Sequence, residues 1–181
     1  MPTFKVRLWA TASQKNETKC TRGVAMHDIT TLVHEFEQMG QALKAILNQF
    51  APDEEIYPSW TRKEVLAHFA GWYDAAAAAL DALLNGRQPE VVAPLGPDYY
   101  NARTVEERAD LPYEHVVREW QMNRGQFLEQ VRRLPESLLT QQTVFPWGET
   151  GTVYDLIAGQ LHHERYHYDE FVERLSSRSR A

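Results

Sequence analysis

The chain has 181 residues, a formal charge of −6 and a single cysteine, Cys20. This length suits one domain around one core. One cysteine excludes an internal disulfide framework and points to a reducing, cytoplasmic setting, and the acidic balance argues against a partner such as nucleic acid or a membrane surface. No apolar run approaches the roughly 18–20 residues that span a bilayer, and Lys5 and Arg7 are not followed by the hydrophobic segment of a secretory signal.

Residues 1–27 show no sustained apolar period beyond a short strand-like alternation, Phe4-Lys5-Val6-Arg7-Leu8-Trp9, and read as a poorly patterned extension. Met26 stands just before the first patterned segment and is an alternative start to Met1. From there Ile29, Leu32, Val33, Phe36, Met39, Leu43, Ile46, Leu47 and Phe50 recur at three and four residues, which predicts a helix with Asp28 as N-cap, ended by Ala51-Pro52-Asp53. The second helix opens on a capping-box pattern, Thr61-Arg62-Lys63-Glu64, and stops at Asn85-Gly86. Its alanine run, Ala75–Ala79, lets a neighbouring helix approach closely.

Residues 87–111 form a long connection, broken by Pro89, Pro94, Gly96 and Pro97, with room for a short helix over 98–109. Connections of this length inside a compact domain signal a crossover or a functional loop. The third helix is expected from about Pro112 to Leu134, stopped by Pro135, followed by a turn-rich stretch over 144–151. No sheet able to bind a peptide strand is apparent. The fourth helix starts near Thr152, with Asp155 completing a second capping pattern, and runs to about Leu175. A Ser/Arg tail, 176–181, is expected to be disordered. Four helices of about 30–37 Å, each with one apolar stripe, must bury those stripes on one another. The expected architecture is therefore an all-α four-helix bundle spanning residues 28–175.

Seven histidines are sorted by the helical wheel. His34, His115 and His162 fall opposite the apolar centres of their helices and read as solvated, while His27 precedes the first helix. His68, His163 and His167 lie on or beside inward faces. His163 and His167 are one turn apart, so both can reach one metal ion. Composition alone yields this His-Glu-x-x-His spacing roughly 0.025 times in such a chain. Glu164 and Gln160 lie on the same face, and a carboxylate there must be paired or serve chemistry. Two histidines do not complete a catalytic site, for which three protein ligands are the norm. His68 lies about 10 Å from the start of the second helix, and the His163/His167 midpoint about 15 Å from the end of the fourth. Antiparallel packing of those two helices thus brings all three histidines to similar depth, and it requires the crossover that 87–111 supplies. The same string marks zinc peptidases, but only 14 residues follow His167, and Glu170 and Glu173 stand where the metzincin extension needs Gly and His. There is no glycine-rich phosphate loop, and Arg132-Arg133 with Arg178 and Arg180 is too small a basic footprint for nucleic acid. Trp60, Trp72, Tyr99, Tyr100 and Trp147 read as core or loop anchors, with pocket lining as the alternative; Trp72, Tyr100 and Gln160 are the candidates for a pocket.

Trp60-Thr61-Arg62-Lys63-Glu64-Val65-Leu66-Ala67-His68-Phe69-Ala70-Gly71-Trp72 resembles the second-helix signature of the DinB-like superfamily, and His163-Glu164-Arg165-Tyr166-His167 its fourth-helix signature. The similarity extends from about Asp28 to Leu175 and includes Tyr100-Asn101 and Pro146-Trp147-Gly148. It implies an up-down-down-up bundle with the long crossover between helices two and three. It also implies a divalent ion, zinc or nickel, on His68, His163 and His167, and a homodimer. Branches of the superfamily include hydrolases, thiol-dependent transferases and isomerases that use bacillithiol or mycothiol, and the ClbS/DfsB type, which helix two also resembles. The leading expectation is a metal-dependent enzyme acting on a small molecule, in which the ion lowers the pKa of water or of a small thiol cosubstrate. Glu164 is its candidate general base or supporting group. The alternatives are a non-catalytic, ClbS/DfsB-like protective or stress-response bundle with a structural or vestigial metal site, and sequestration of a reactive metabolite. With Cys20 outside the bundle, thiol chemistry would need an external thiol.

Overall fold

The computed structural model describes residues 29–178, so the expectations for the N-terminal extension, the start at Met26 and the Asp28 cap lie outside the described residues. Its long helices are α1 (Ile29–Leu47), α2 (Arg62–Leu84), α4 (Tyr113–Arg133) and α6 (Val153–Arg178), which are the four helices the periodicity predicts. The crossover carries the short helix α3 (Pro97–Glu106), and a single turn, α5 (Glu136–Leu139), follows α4.

Local chemistry sets these boundaries. Thr61 and Glu64 form a reciprocal capping box at the start of α2, which satisfies donors that a helix start leaves free. Asp155 Oδ2 accepts from the Thr152 backbone N–H and hydroxyl at the start of α6. Phe50, included in the first apolar repeat, falls beyond the end of α1 yet remains buried.

Two differences from the sequence reading appear. The turn-rich stretch forms a hairpin, β1 (Gln142–Val144) against β2 (Thr150–Thr152), with Thr143 opposite Gly151. Three-residue strands are too short to show a period of two, so the pattern hid them. Residues 176–178, expected in a disordered tail, instead belong to α6, which continues to Arg178, and the Ser176 and Ser177 hydroxyls donate to the carbonyls of Val172 and Glu173.

The bundle runs up-down-down-up. Residues at the start of α2 meet those at the start of α4, as in Arg62 over the Tyr113 ring, and farther along Tyr73 meets Phe127, so these helices are parallel. Tyr57, just before α2, reaches Glu170 near the end of α6, so α2 and α6 are antiparallel. Glu35 pairs with Arg165 and Phe50 packs on Phe171, which runs α1 parallel to α6. Glu37 pairs with Arg132 while Gly40 faces Arg124, which sets α1 antiparallel to α4.

Two glycines make close approaches possible. A Cβ on Gly71 of α2 would stand 2.5 Å from Thr104 Cγ2, so this glycine lets α3 lie on α2. A Cβ on Gly40 would stand 2.6 Å from Arg124 Cζ, so Gly40 leaves room for a guanidinium in the interior.

Candidate metal centre

α2 and α6 bring His68, His163 and His167 together, all three buried, with one ligand nitrogen each lying within 4.8 Å of the others. Nε2 of His163 stands 2.9 Å from Nε2 of His68 and 3.1 Å from Nε2 of His167. His34, His115 and His162 are exposed, as the wheel places them.

The outer nitrogens of two of these rings have defined partners. Asn101, delivered by α3, accepts through Oδ1 from Trp72 Nε1 at 2.8 Å and faces His68 Nδ1 at 3.1 Å. An indole nitrogen only donates, so the amide must present its oxygen here. His68 therefore carries its proton on Nδ1 and turns a lone pair inward from Nε2. On the other side the Tyr57 hydroxyl lies 2.6 Å from His167 Nδ1 and donates to Glu170 Oε2 at 2.5 Å. With its proton given to Glu170, the Tyr57 oxygen accepts from His167 Nδ1, and Nε2 of His167 also faces inward with a lone pair.

The electrostatics favour the neutral form of His68 and His163. Burial pushes His68 well below the ordinary imidazole range, with His167 adding to the shift and the Asn101 bond opposing it. His163 is lowered in the same direction by burial and then by His167, His68 and His162. Burial also raises the Tyr57 hydroxyl far above its ordinary value, with Glu170 adding to the effect, so it stays protonated. Burial raises Glu170, but hydrogen bonds from His167, Tyr57 and Tyr166 outweigh this and leave it below its ordinary value.

This donor set fits a divalent ion. Three imidazoles bring their Nε2 atoms together, and the single proton His163 can offer there satisfies at most one facing lone pair. Nitrogens sharing an ion at roughly 2.0–2.1 Å stand roughly 3 Å apart or somewhat more, close to the separations observed. Outer hydrogen bonds to carboxylate, amide or hydroxyl groups are what metal-binding histidines ordinarily have.

Glu164 is fully buried, and both its oxygens accept from Arg124, at 2.8 Å from Nε and 3.1 Å from Nη2. A carboxylate engaged in this way has its lone pairs directed at a guanidinium, which suits the supporting role the sequence allowed better than that of a general base. Arg124 also donates to the Phe36 carbonyl and lies over the Phe36 and Tyr73 rings, so it touches all four long helices. Trp72, Tyr100 and Gln160 are buried. Trp72 and Tyr100 stack at 4.5 Å, and the Tyr100 hydroxyl donates to the Gly71 carbonyl, so both brace the Asn101 side of the centre. Gln160 keeps an amide nitrogen without a hydrogen-bond partner among the described residues. Trp60 lies 5.4 Å from the His68 ring, Trp147 packs on Trp72, and Tyr99 is exposed.

Sequence reasoning missed Arg124, Tyr57, Glu170 and the role of Asn101. Arg124 had a signal, because it lies on the Trp120, Phe127, Val131 stripe and a buried Glu164 needs a cation. Tyr57, in a connection without period, had none.

The model of the mycothiol maleylpyruvate isomerase N-terminal domain matches residues 55–164, more than half of the chain. The chain belongs to this family. It is thereby a member of the DinB-like superfamily, as the two helix motifs imply. No curated protein matches it. Among solved structures, the mycothiol-dependent maleylpyruvate isomerase is 13% identical with a TM-score of 0.65, over 80% of this chain and 60% of that one. This family member thus spans less than two thirds of that enzyme's length. YfiT from Bacillus subtilis, a probable metal-dependent hydrolase with an unusual four-helix bundle topology, is 16% identical with a TM-score of 0.66, over 91% of this chain and 95% of that one. An uncharacterized protein from Clostridium difficile 630 is 14% identical with a TM-score of 0.67, over 83% and 96%. At these identities the likeness is one of fold. No helix among the described residues is long and apolar enough to cross a membrane.

Proposed function

We propose that this chain is a divalent-metal-dependent enzyme acting on a small molecule, by hydrolysis or by transfer or isomerisation that uses a small thiol. The observation that carries this reading is the meeting of three buried Nε2 atoms at 2.9 and 3.1 Å. Membership of a family named for a mycothiol-using isomerase supports the thiol branch, and the YfiT-like fold supports the hydrolase branch. When bound, the ion would lower the pKa of a water or thiol and so supply a nucleophile near neutral pH. His68, His163 and His167 hold the ion. Asn101 and Trp72 orient His68, and the aromatic rings of Trp60, Phe69 and Phe171 pack against the histidines. We assign Glu164 to anchoring α6 on Arg124 rather than to proton transfer. This reading takes zinc or nickel as the ion, a small thiol as cosubstrate, and a homodimer in the cytoplasm.

The test is metal analysis of protein purified without a histidine tag. Stoichiometric metal in the wild type and its loss in His68→Ala are expected, and wild-type protein free of metal overturns the reading. Turnover of a model electrophile with a small thiol, set against ester or amide hydrolysis, then separates the two branches.

One observation favours a second reading. All three histidines are buried, at 2%, 2% and 5% exposure, which suits a structural ion in a protective, ClbS/DfsB-like bundle. A bound ion with no exchangeable coordination position supports that alternative.

A further inference from the structure

We infer that Glu170 and Tyr57 are positioning residues that set the tautomer of His167, and that Glu170 decides which way the Tyr57 hydroxyl points. This rests on the metal-centre reading above. A tyrosine hydroxyl has one proton and can direct it either to Glu170 or to His167 Nδ1, which lie 2.5 and 2.6 Å from its oxygen. An ionised carboxylate only accepts, so it takes the proton. The Tyr57 oxygen is then an acceptor, and His167 Nδ1, which also stands 3.4 Å from Glu170 Oε2, faces only acceptors and must donate, so that Nε2 presents a lone pair to His68 and His163. Without the carboxylate the same hydroxyl donates to Nδ1 instead. The imidazole proton then moves to Nε2, where it must be displaced before that nitrogen can ligate.

The chain builds a rigid mount for this arrangement. Tyr57 sits in a tight turn closed by reciprocal bonds between Tyr57 and Trp60. Ser59 occupies a left-handed conformation, φ 66°, within that turn. A non-glycine residue accepts that strain only where the surroundings impose it. Ser59 N–H donates to the Glu55 carboxylate, and Arg174 donates to the Glu55 carbonyl, so the turn is tied to α6 within a few residues of Glu170. Glu170 itself is one turn beyond His167 on α6, with 36% of its side chain exposed. Its position therefore owes little to core packing, and a substitution there should leave the fold intact.

The decisive comparison is Glu170→Ala against Glu170→Gln, because glutamine keeps an acceptor for the Tyr57 hydroxyl. Long-range proton–nitrogen NMR of histidine-labelled, metal-free protein, above the ordinary imidazole titration range, reads the tautomer directly. Wild type and Glu170→Gln should show His167 protonated at Nδ1, and Glu170→Ala should shift it toward Nε2. Zinc affinity by chelator competition should fall about 10–100-fold in Glu170→Ala, and stay within about threefold of wild type in Glu170→Gln. Adding Tyr57→Phe to Glu170→Ala should remove the Nε2 preference, since no hydroxyl remains to donate. Wild-type His167 protonated at Nε2, or Glu170→Ala with unchanged tautomer and zinc affinity, overturns the inference. Wild-type protein that binds no zinc overturns the underlying reading, while the tautomer measurement still shows whether the dyad orients the ring.

Discussion

Arg124 and Glu164 form an ion pair at 2.8 Å in the interior of the bundle, with side-chain exposures of 10% and 0%. They come from α4 and α6, and the guanidinium also reaches the Phe36 carbonyl of α1 and the Tyr73 ring of α2. A buried pair of this kind contributes little net stability by itself, yet losing one partner strands the other charge in a medium that cannot solvate it. Glu164 also lies on the same helix turn as His163, so the part of α6 that carries the histidines is held at this point.

Arg124→Met is expected to destabilise the protein by about 3–5 kcal/mol, because Glu164 is left uncompensated. The double variant Arg124→Met/Glu164→Leu should recover most of that loss. Urea unfolding of the wild type, both single variants and the double variant completes the cycle. Additive losses in the double variant would refute the coupling.

Asn101→Leu removes the acceptor shared by His68 Nδ1 and Trp72 Nε1. Each buried donor left unpaired costs about 1–3 kcal/mol. The metal-free protein should therefore unfold at lower urea, and zinc affinity should drop about 10–100-fold as His68 loses its orientation. Unchanged zinc affinity would show that packing alone holds the ring.

Gly71→Ala and Gly125→Ala should move stability in opposite directions. A Cβ at Gly71 meets Thr104 Cγ2 at 2.5 Å and Cβ at 2.8 Å, whereas one at Gly125 meets nothing within 4 Å. The first should lose about 1–3 kcal/mol by displacing α3. The second, on an exposed helical position, should gain about 0.5–1 kcal/mol. Thermal unfolding checks both, and zinc affinity should fall in Gly71→Ala alone because α3 carries Asn101.

The stability of metal-free protein should fall with acidification below the ordinary imidazole range. His68 and His163 are both lowered in the folded state, so the unfolded chain takes up protons that the folded one refuses. Stability is thus complete above the unfolded value, about 6.5, and declines as pH falls toward the folded values. Two such groups give a slope of up to about 2.7 kcal/mol per pH unit. Urea midpoints measured in chelator between pH 7.5 and 5 test this, and the slope should flatten in His68→Gln/His163→Gln. A flat wild-type profile would mean that the two histidines titrate freely.

Several features were legible without coordinates. The Thr61–Glu64 and Thr152–Asp155 caps, the four apolar stripes and the inward faces of His68, His163 and His167 depend on neighbours within one or two turns. Such short-range patterns survive in a linear reading. The length of the 87–111 connection even carried the antiparallel relation of α2 and α6, because the shared depth of the histidines admits no other packing.

The partners of those residues were not legible in the same way. Glu164 reads as a polar group on an inward face, but that its charge is answered by Arg124, 40 positions earlier, depends on how α4 lies across the core. Tyr57 and Glu170 are separated by 113 positions, in a connection and on a helix flank that show no apolar period. The sequence by itself determined the long helices, the Thr61 and Thr152 caps and the inward faces of the three histidines, since each is dictated by local geometry. The tertiary structure decided which nitrogen of each ring faces the centre and which carboxylate is neutralised, since these follow from hydrogen bonds between segments that meet only when the helices pack.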